Sequence, residues 1–273
     1  MSRRVIPARP LSARSVLAST LLGTVPPRMP TGRLVRVGAL FGLAEGTVRT
    51  ALSRMVSAGE LRRDERGRYE LTGDLLRRQR RQLESRSGAV VPPGGRPGDW
   101  SGRWVQAVVV EGARGAPARA ALRRAMARLR LGELRDGVWL RPDNLDPARD
   151  PDERRVVDRQ CRWFGVEPGH DDELAAILWD LDGWSAGAVE LRRAMAGMTG
   201  RLEDGDVAAL ADGFVLSARV LRHFVADPLL PPELLGRRWA GGPLRADYDR
   251  FDAAFRSTLR RWLDDDPRYG GRP

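Results

Sequence analysis

Residues 47–71, TVRTALSRMVSAGELRRDERGRYEL, leave the chain few local conformations. At 100° per residue, Val48, Ala51, Leu52, Met55 and Val56 fall within an arc of about 140°, which predicts an amphipathic helix. The helix starts near Ala44 or Glu45 and stops at Gly59. Two short runs, 61–64 and 68–71, then flank Glu65-Arg66-Gly67, which predicts a hairpin. The opposite arc of the helix carries Thr47, Arg49, Thr50, Ser53, Arg54 and Ser57, and no acid. A solvated face ordinarily mixes Glu among its arginines to make i,i+4 pairs. Here short hydroxyls permit close approach, and arginine forks match guanine edges or phosphates. A reading helix followed by a wing is therefore expected, with Arg66 and Arg68 of the wing on the nucleic-acid backbone. The plainer alternative is a structural or protein-docking three-helix unit.

The charge distribution favours the polyanion. Residues 1–91 hold 18 arginines against 7 acidic residues, whereas the remaining 182 hold 29 of each. The whole net charge of +11 thus lies in the first third of the chain. Arginine is plentiful in both parts, so uneven composition alone does not explain it; only the first part lacks balancing acids.

Pro/Gly-rich GAVVPPGGRPG at 88–98 reads as a linker, and DLDGW at 180–184 as a weaker boundary. The expected fold class is α+β in three domains: residues 1–91 a winged helix-turn-helix with a connecting helix, 92–180 a ferredoxin-like domain, and 181–273 mostly helical. Before the reading helix, helices are expected over about 12–22 and 31–41, separated by a PPRMP loop at 26–30. After the hairpin, LLRRQRRQLE lies on a helix over about 73–87. The second segment alternates strands (105–110, GVWLRP at 137–142, CRWFGV at 161–166) with helices over about 118–131, 152–159 and DDELAAILWDL. In the third, prolines in FVADPLLPPELLGRRW, 224–239, stop any helix.

Three motifs in order resemble the PaaX family of bacterial transcriptional regulators over nearly the whole length: TVRTALSRMVSAGEL at 47–61, WSGRW at 100–104 followed later by GVWLRP, and HFVADPLLPPELLGRRWAG at 223–241. The resemblance implies a winged helix, a central domain like that of CRISPR-adaptation nucleases, and a helical C-terminal domain. It implies a homodimeric repressor of aromatic catabolism on double-stranded DNA with a palindromic operator. It also implies release by a small-molecule effector, phenylacetyl-CoA or another acyl-CoA. Two positions depart from the family pattern: Ala44 stands where Ser usually caps the reading helix, and Ala240 where Pro usually follows Trp.

Other function classes find less support in the sequence. A metal-dependent nuclease would need carboxylates gathered at a strand end, and Glu111 after the 105–110 run offers one. Asp264-Asp265-Asp266 reads as a solvated terminus. Cys161, His170 and His223 lack zinc-ligand spacing, and no phosphate-loop, dinucleotide or Gly-x-Ser-x-Gly motif is present. No catalytic or metal residue and no cofactor are therefore expected. A non-ligand-regulated DNA-binding or adaptor protein is the remaining alternative. No apolar run approaches the roughly 20 residues that span a bilayer, the basic N-terminus lacks the apolar run of a signal peptide, and one cysteine fits a reducing cytoplasm. A cytoplasmic protein without membrane contact is expected. Of the eight tryptophans, most are expected in the core of the second and third segments.

Overall fold

The structure, a computed structural model, describes residues 11–88, 100–112 and 115–265. Residues 89–98 of the expected linker, and Asp266, lie outside them. The fold is α+β and divides into two compact units. One holds the chain through Ser87, Gly187–Val225 and the chain from Gly241 onward; the other holds 88–186 and Ala226–Ala240. Among the described residues no helix is long and apolar enough to cross a membrane.

The first unit opens with α1 (Ala13–Leu22), whose N-terminus is capped by the Ser12 hydroxyl accepting from the Ser15 N–H at 3.2 Å. Helices α2 (Thr31–Ala39) and α3 (Glu45–Ser57) follow, then the hairpin β2 (Leu61–Arg63) and β3 (Arg68–Leu71), and α4 (Gly73–Ser87). The PPRMP stretch, expected as a loop, contains a strand: β1 (Arg28–Pro30) pairs antiparallel with β3, giving a three-stranded sheet in the order β1-β3-β2. Proline hides such a strand from pattern reading, yet it is tolerated here because β1 is an edge and Pro30 is its last residue.

The hairpin turns as its sequence demands. The Asp64 carboxylate accepts from the N–H groups of Arg66 and Arg68, at 3.0 and 2.8 Å, and Gly67 supplies φ +71°. Inside, Leu17, Leu21, Leu34, Val48, Leu52, Met55, Leu61 and Leu71 form one apolar core. The apolar side chains of α2 and the residues after it divide between two clusters. Leu34 joins that core, whereas Val37 and Phe41 pack with Val16, Leu259, Trp262 and Leu263.

Those last residues belong to α10 (Gly241–Asp264), which with α9 (Leu210–Val225) and the Gly187–Glu203 part of α8 (Leu181–Glu203) completes the unit. Ion pairs fix the arrangement. Arg33 meets Asp264 at 2.7 Å, and Arg36 lies 4.5 Å over the Trp262 ring. At the far end of α4, Arg86 bonds Asp249 at 2.8 Å and the buried Asp252 at 2.7 Å, while Arg245 donates to the Ser85 and Arg86 carbonyls. Cations at the last carbonyls of a helix are favourable there.

In the second unit β4 (Trp104–Val109), α5 (Ala116–Arg128), β5 (Gly132–Arg135), β6 (Val138–Pro142), α6 (Pro151–Asp158), β7 (Cys161–Val166) and α7 (Asp171–Leu178) follow in turn. The antiparallel sheet has the order β5-β6-β4-β7. Strand β5 is absent from the expectations because GELR shows no apolar run; Gly132 serves it, since a Cβ there would meet the Leu178 Cβ at 2.7 Å. Strand β4 ends at Val109, so Glu111 does not stand at its terminus.

Alternation along the strands gives the sheet two apolar faces. Ala107, Trp139 and Cys161 face Leu122, Met126 and Val157 of α5 and α6. Trp104, Val138 and Leu140 face Ala175 of α7 and Leu230 and Leu234 of the returning 226–240 stretch. A buried polar chain fastens that stretch. Arg141 donates to Asn144 Oδ1 at 2.7 Å, Asn144 donates to the Leu229 carbonyl at 2.9 Å, and the Leu229 N–H donates to Asp227 at 2.8 Å. Trp104, Trp139 and Trp184 are buried, and Trp184 stacks on Trp239 at 4.3 Å. Cys161 is buried as a small apolar residue, and the His223 ring packs against Gly187.

The last turn of α2 meets the first turn of α3 at Gly38, where a Cβ would sit 2.6 Å from Cγ2 of the fully buried Val48. Val48 is β-branched and cannot swing aside. Gly38→Ala is expected to lose about 1–3 kcal/mol of stability through overpacking, measured by urea unfolding. An unchanged midpoint would show that the two helices have room to separate.

Candidate nucleic-acid interface

Burial of Val48, Leu52 and Met55 turns the other side of α3 outward. All six residues expected there, Thr47, Arg49, Thr50, Ser53, Arg54 and Ser57, are exposed and share one face. Val56, expected within the apolar stripe, is 38% exposed and stands at its edge. The expectation of an acid-free face needs correction at one end. Glu45 accepts from Arg49 Nε at 2.8 Å, an i,i+4 pair whose acid lies just before the arc. Arg54, by contrast, has no carboxylate partner among the described residues.

Beside this face runs a groove of about 820 Å³, lined by Thr47, Thr50 and Arg54 on one side and by Ser12, Arg14 and Glu60 on the other. Arg14 donates through Nε to Glu60 Oε2 at 3.0 Å across its end. This pair joins the start of α1 to the turn after α3, a distance of 46 residues in the chain. Nothing in the local pattern around Arg14 signals it, so sequence reasoning misses the residue.

The hairpin arginines differ from one another. Arg66 is exposed at the turn. Arg68, expected on the backbone of a nucleic acid, is committed within the hairpin: its Nε lies 2.7 Å from Asp64 Oδ2. The Arg68 backbone N–H first, and then its guanidinium, hold the Asp64 carboxyl below its ordinary range. Arg62 pairs with Glu70 at 2.7 Å, and Arg63 lies 5.9 Å over the Tyr69 ring. The structure thus gathers Thr47, Thr50 and Arg54 at one groove, leaves Arg66 on the hairpin tip, and ties Arg49 and Arg68 to acids.

Ala44 is the N-cap of α3, and no side chain caps the helix. Glu45 in the first turn complements the helix dipole without replacing that bond. Ala44→Ser is expected to stabilise the protein by about 1 kcal/mol, read as a higher thermal midpoint; no gain would mean that the new hydroxyl fails to reach a free N–H.

Residues 12–75 match the PaaX-like protein family, a span running from α1 through the hairpin into α4. An uncharacterized protein, Rv0674 from Mycobacterium tuberculosis, is similar in structure with a TM-score of 0.69. It is 38% identical over 92% of this chain and 98% of its own length. No curated protein matches this chain. The match across α3 and the hairpin, together with a similarity spanning both units, identifies the chain as a member of the PaaX-like family.

Proposed function

We propose that this chain is a sequence-specific DNA-binding transcriptional regulator, a homodimeric repressor that docks α3 in the major groove of a palindromic operator. The exposed Arg54, which has no carboxylate partner among the described residues and stands among short hydroxyls, carries the reading: such a fork donates two parallel bonds to guanine O6 and N7 while threonine and serine let the helix approach. The order α2, α3, β2, β3 supports a winged helix-turn-helix, with Arg66 of the wing on a phosphate. The β-α-β-β-α-β order and the β5-β6-β4-β7 sheet support a ferredoxin-like central domain. A dimer doubles the few base pairs that one reading helix covers. The family resemblance supports an acyl-CoA thioester as the effector that releases the protein. Such a ligand must favour the DNA-incompetent state, since equal affinity for both states shifts nothing.

Selection from a random duplex pool is expected to enrich two inverted half-sites, and log K on the selected site should fall by about 0.9 per phosphate contact with log salt. Absence of enrichment, or binding insensitive to salt, would defeat the reading. On that site Arg54→Ala is expected to cost about 1–3 kcal/mol and to relax preference at one position. Arg66→Ala should instead weaken all sequences alike. In competition mobility shifts, equal losses on specific and mixed-sequence DNA for Arg54→Ala would remove its base-reading role.

A further inference from the structure

Arg14 and Glu60 meet across the end of the groove beside α3. Glu60 accepts from both Nε and Nη2 of Arg14, the Nε bond to Oε2 measuring 3.0 Å. Among the described residues, every side-chain hydrogen bond of either residue goes to the other. The pair is not what seats α1 on α3. Leu17 and Leu21 of α1 share one buried core with Leu52 and Met55 of α3. The turn that carries Glu60 is held separately: the Thr72 N–H donates to the Glu60 carbonyl, and the Thr72 hydroxyl to the Gly59 carbonyl, each at 2.9 Å. An ion pair whose arginine side chain is 57% exposed adds little stability to such packing.

Its place matters more than its strength. Arg14 and Ser12 line the side of the groove opposite Thr47, Thr50 and Arg54. Ala51 and Ala58 also line it, and neither carries a side-chain group that competes for an anion. Arginine thus stands on both sides, and Glu60 is the one acid among the lining residues. A helix about 10–12 Å across fills a major groove about 12 Å wide, so the sugar-phosphate strand bordering that groove runs alongside the helix. A phosphate in that strand and the Glu60 carboxylate would compete for the same guanidinium fork.

We propose that the groove receives the DNA strand bordering the major groove, that Arg14 binds a phosphate of it from the side opposite Arg54, and that Glu60 holds Arg14 back until that phosphate displaces it. The inference rests on the DNA-binding reading and deepens it by adding a contact from α1 to those of α3 and the hairpin. Phosphate contacts set position and affinity without reading sequence. The exchange is open to DNA because an exposed ion pair is weak, and a phosphate accepts the same two parallel bonds that Glu60 accepts in the free protein. Glu60 therefore keeps affinity low for DNA of any sequence.

The test is fluorescence anisotropy of the full chain on a labelled duplex of mixed sequence, titrated with KCl. Loss of one phosphate contact in R14Q is expected to reduce the slope of log K against log salt by about 1. R14K keeps the charge and should keep the slope. R124Q removes an exposed arginine from the second unit and should also leave it unchanged. E60Q is expected to tighten binding by up to about fivefold, the range set by the strength of an exposed ion pair. In R14Q/E60Q that gain should vanish, because no guanidinium is left to release. Thermal unfolding identifies any variant that fails to fold; should R14Q be one, E60Q decides, since tighter binding cannot come from lost structure. A wild-type slope in R14Q overturns the Arg14 contact and leaves the DNA-binding reading standing. E60Q that binds no tighter than wild type overturns the holding role of Glu60, as does a gain that persists in R14Q/E60Q and so reflects general repulsion by the carboxylate. Wild type that fails to bind the duplex even at low salt overturns the DNA-binding reading and this inference together.

Discussion

The close crossing of α2 and α3 at Gly38 and Val48 sets the geometry on which the candidate interface depends. With no side chain on Gly38, the Val48 methyl occupies the space between the helices. Val48, Leu52 and Met55 can then all reach the core, and burying a side chain of that size contributes roughly 1.5–3 kcal/mol. Rotation of α3 about its axis would trade that burial for exposure of the same apolar atoms. The outward aim of Thr47, Thr50 and Arg54 is thus a consequence of core packing and needs no tie of its own.

Acids of the first 91 residues sort its arginines. Glu45 takes Arg49, Glu60 takes Arg14, Asp64 takes Arg68, Glu70 takes Arg62 and Asp74 takes Arg77. Exposed pairs of this kind contribute about 0–1 kcal/mol each and weaken with salt. Their larger effect is on where positive charge remains uncompensated: among the described residues Arg54 on α3 and Arg66 at the hairpin tip are two such places. A net charge is a property of composition, but a cationic surface is a property of which pairs the fold permits.

The second unit has a different constraint. Its sheet is apolar on both faces, and α5 and α6 cover only one. The chain returns after α9 to lay Leu230 and Leu234 on the other, and Arg141, Asn144 and Asp227 anchor the return. Burial, followed by the nearby Arg149, pushes the Arg141 guanidinium down to about 9. A buried cation is tolerated when its donors are satisfied, and here Asn144 and the Pro142 carbonyl accept from it. Two motifs distant in sequence, GVWLRP and ADPLLPPELLG, therefore meet as one structural joint.

By itself the sequence determined the elements whose signals are local. The period of Val48, Leu52 and Met55, the Gly67 turn and the CRWFGV strand each reflect interactions within a few residues, and each lies where the pattern puts it. The exposed arc of α3 was legible for the same reason, except for the reach of Glu45 to Arg49. Only the tertiary structure decided the rest. Strand β1 gains its pairing from β3 some forty residues away, and the prolines before and at the end of it conceal it. The 226–240 stretch has no regular period because it follows the surface it covers. Arg14 and Glu60 come together through the packing of α1 on α3, which no local propensity encodes. Periodicity shows which side of an element must be buried; which distant element buries it is decided by shape and charge complementarity across the folded chain.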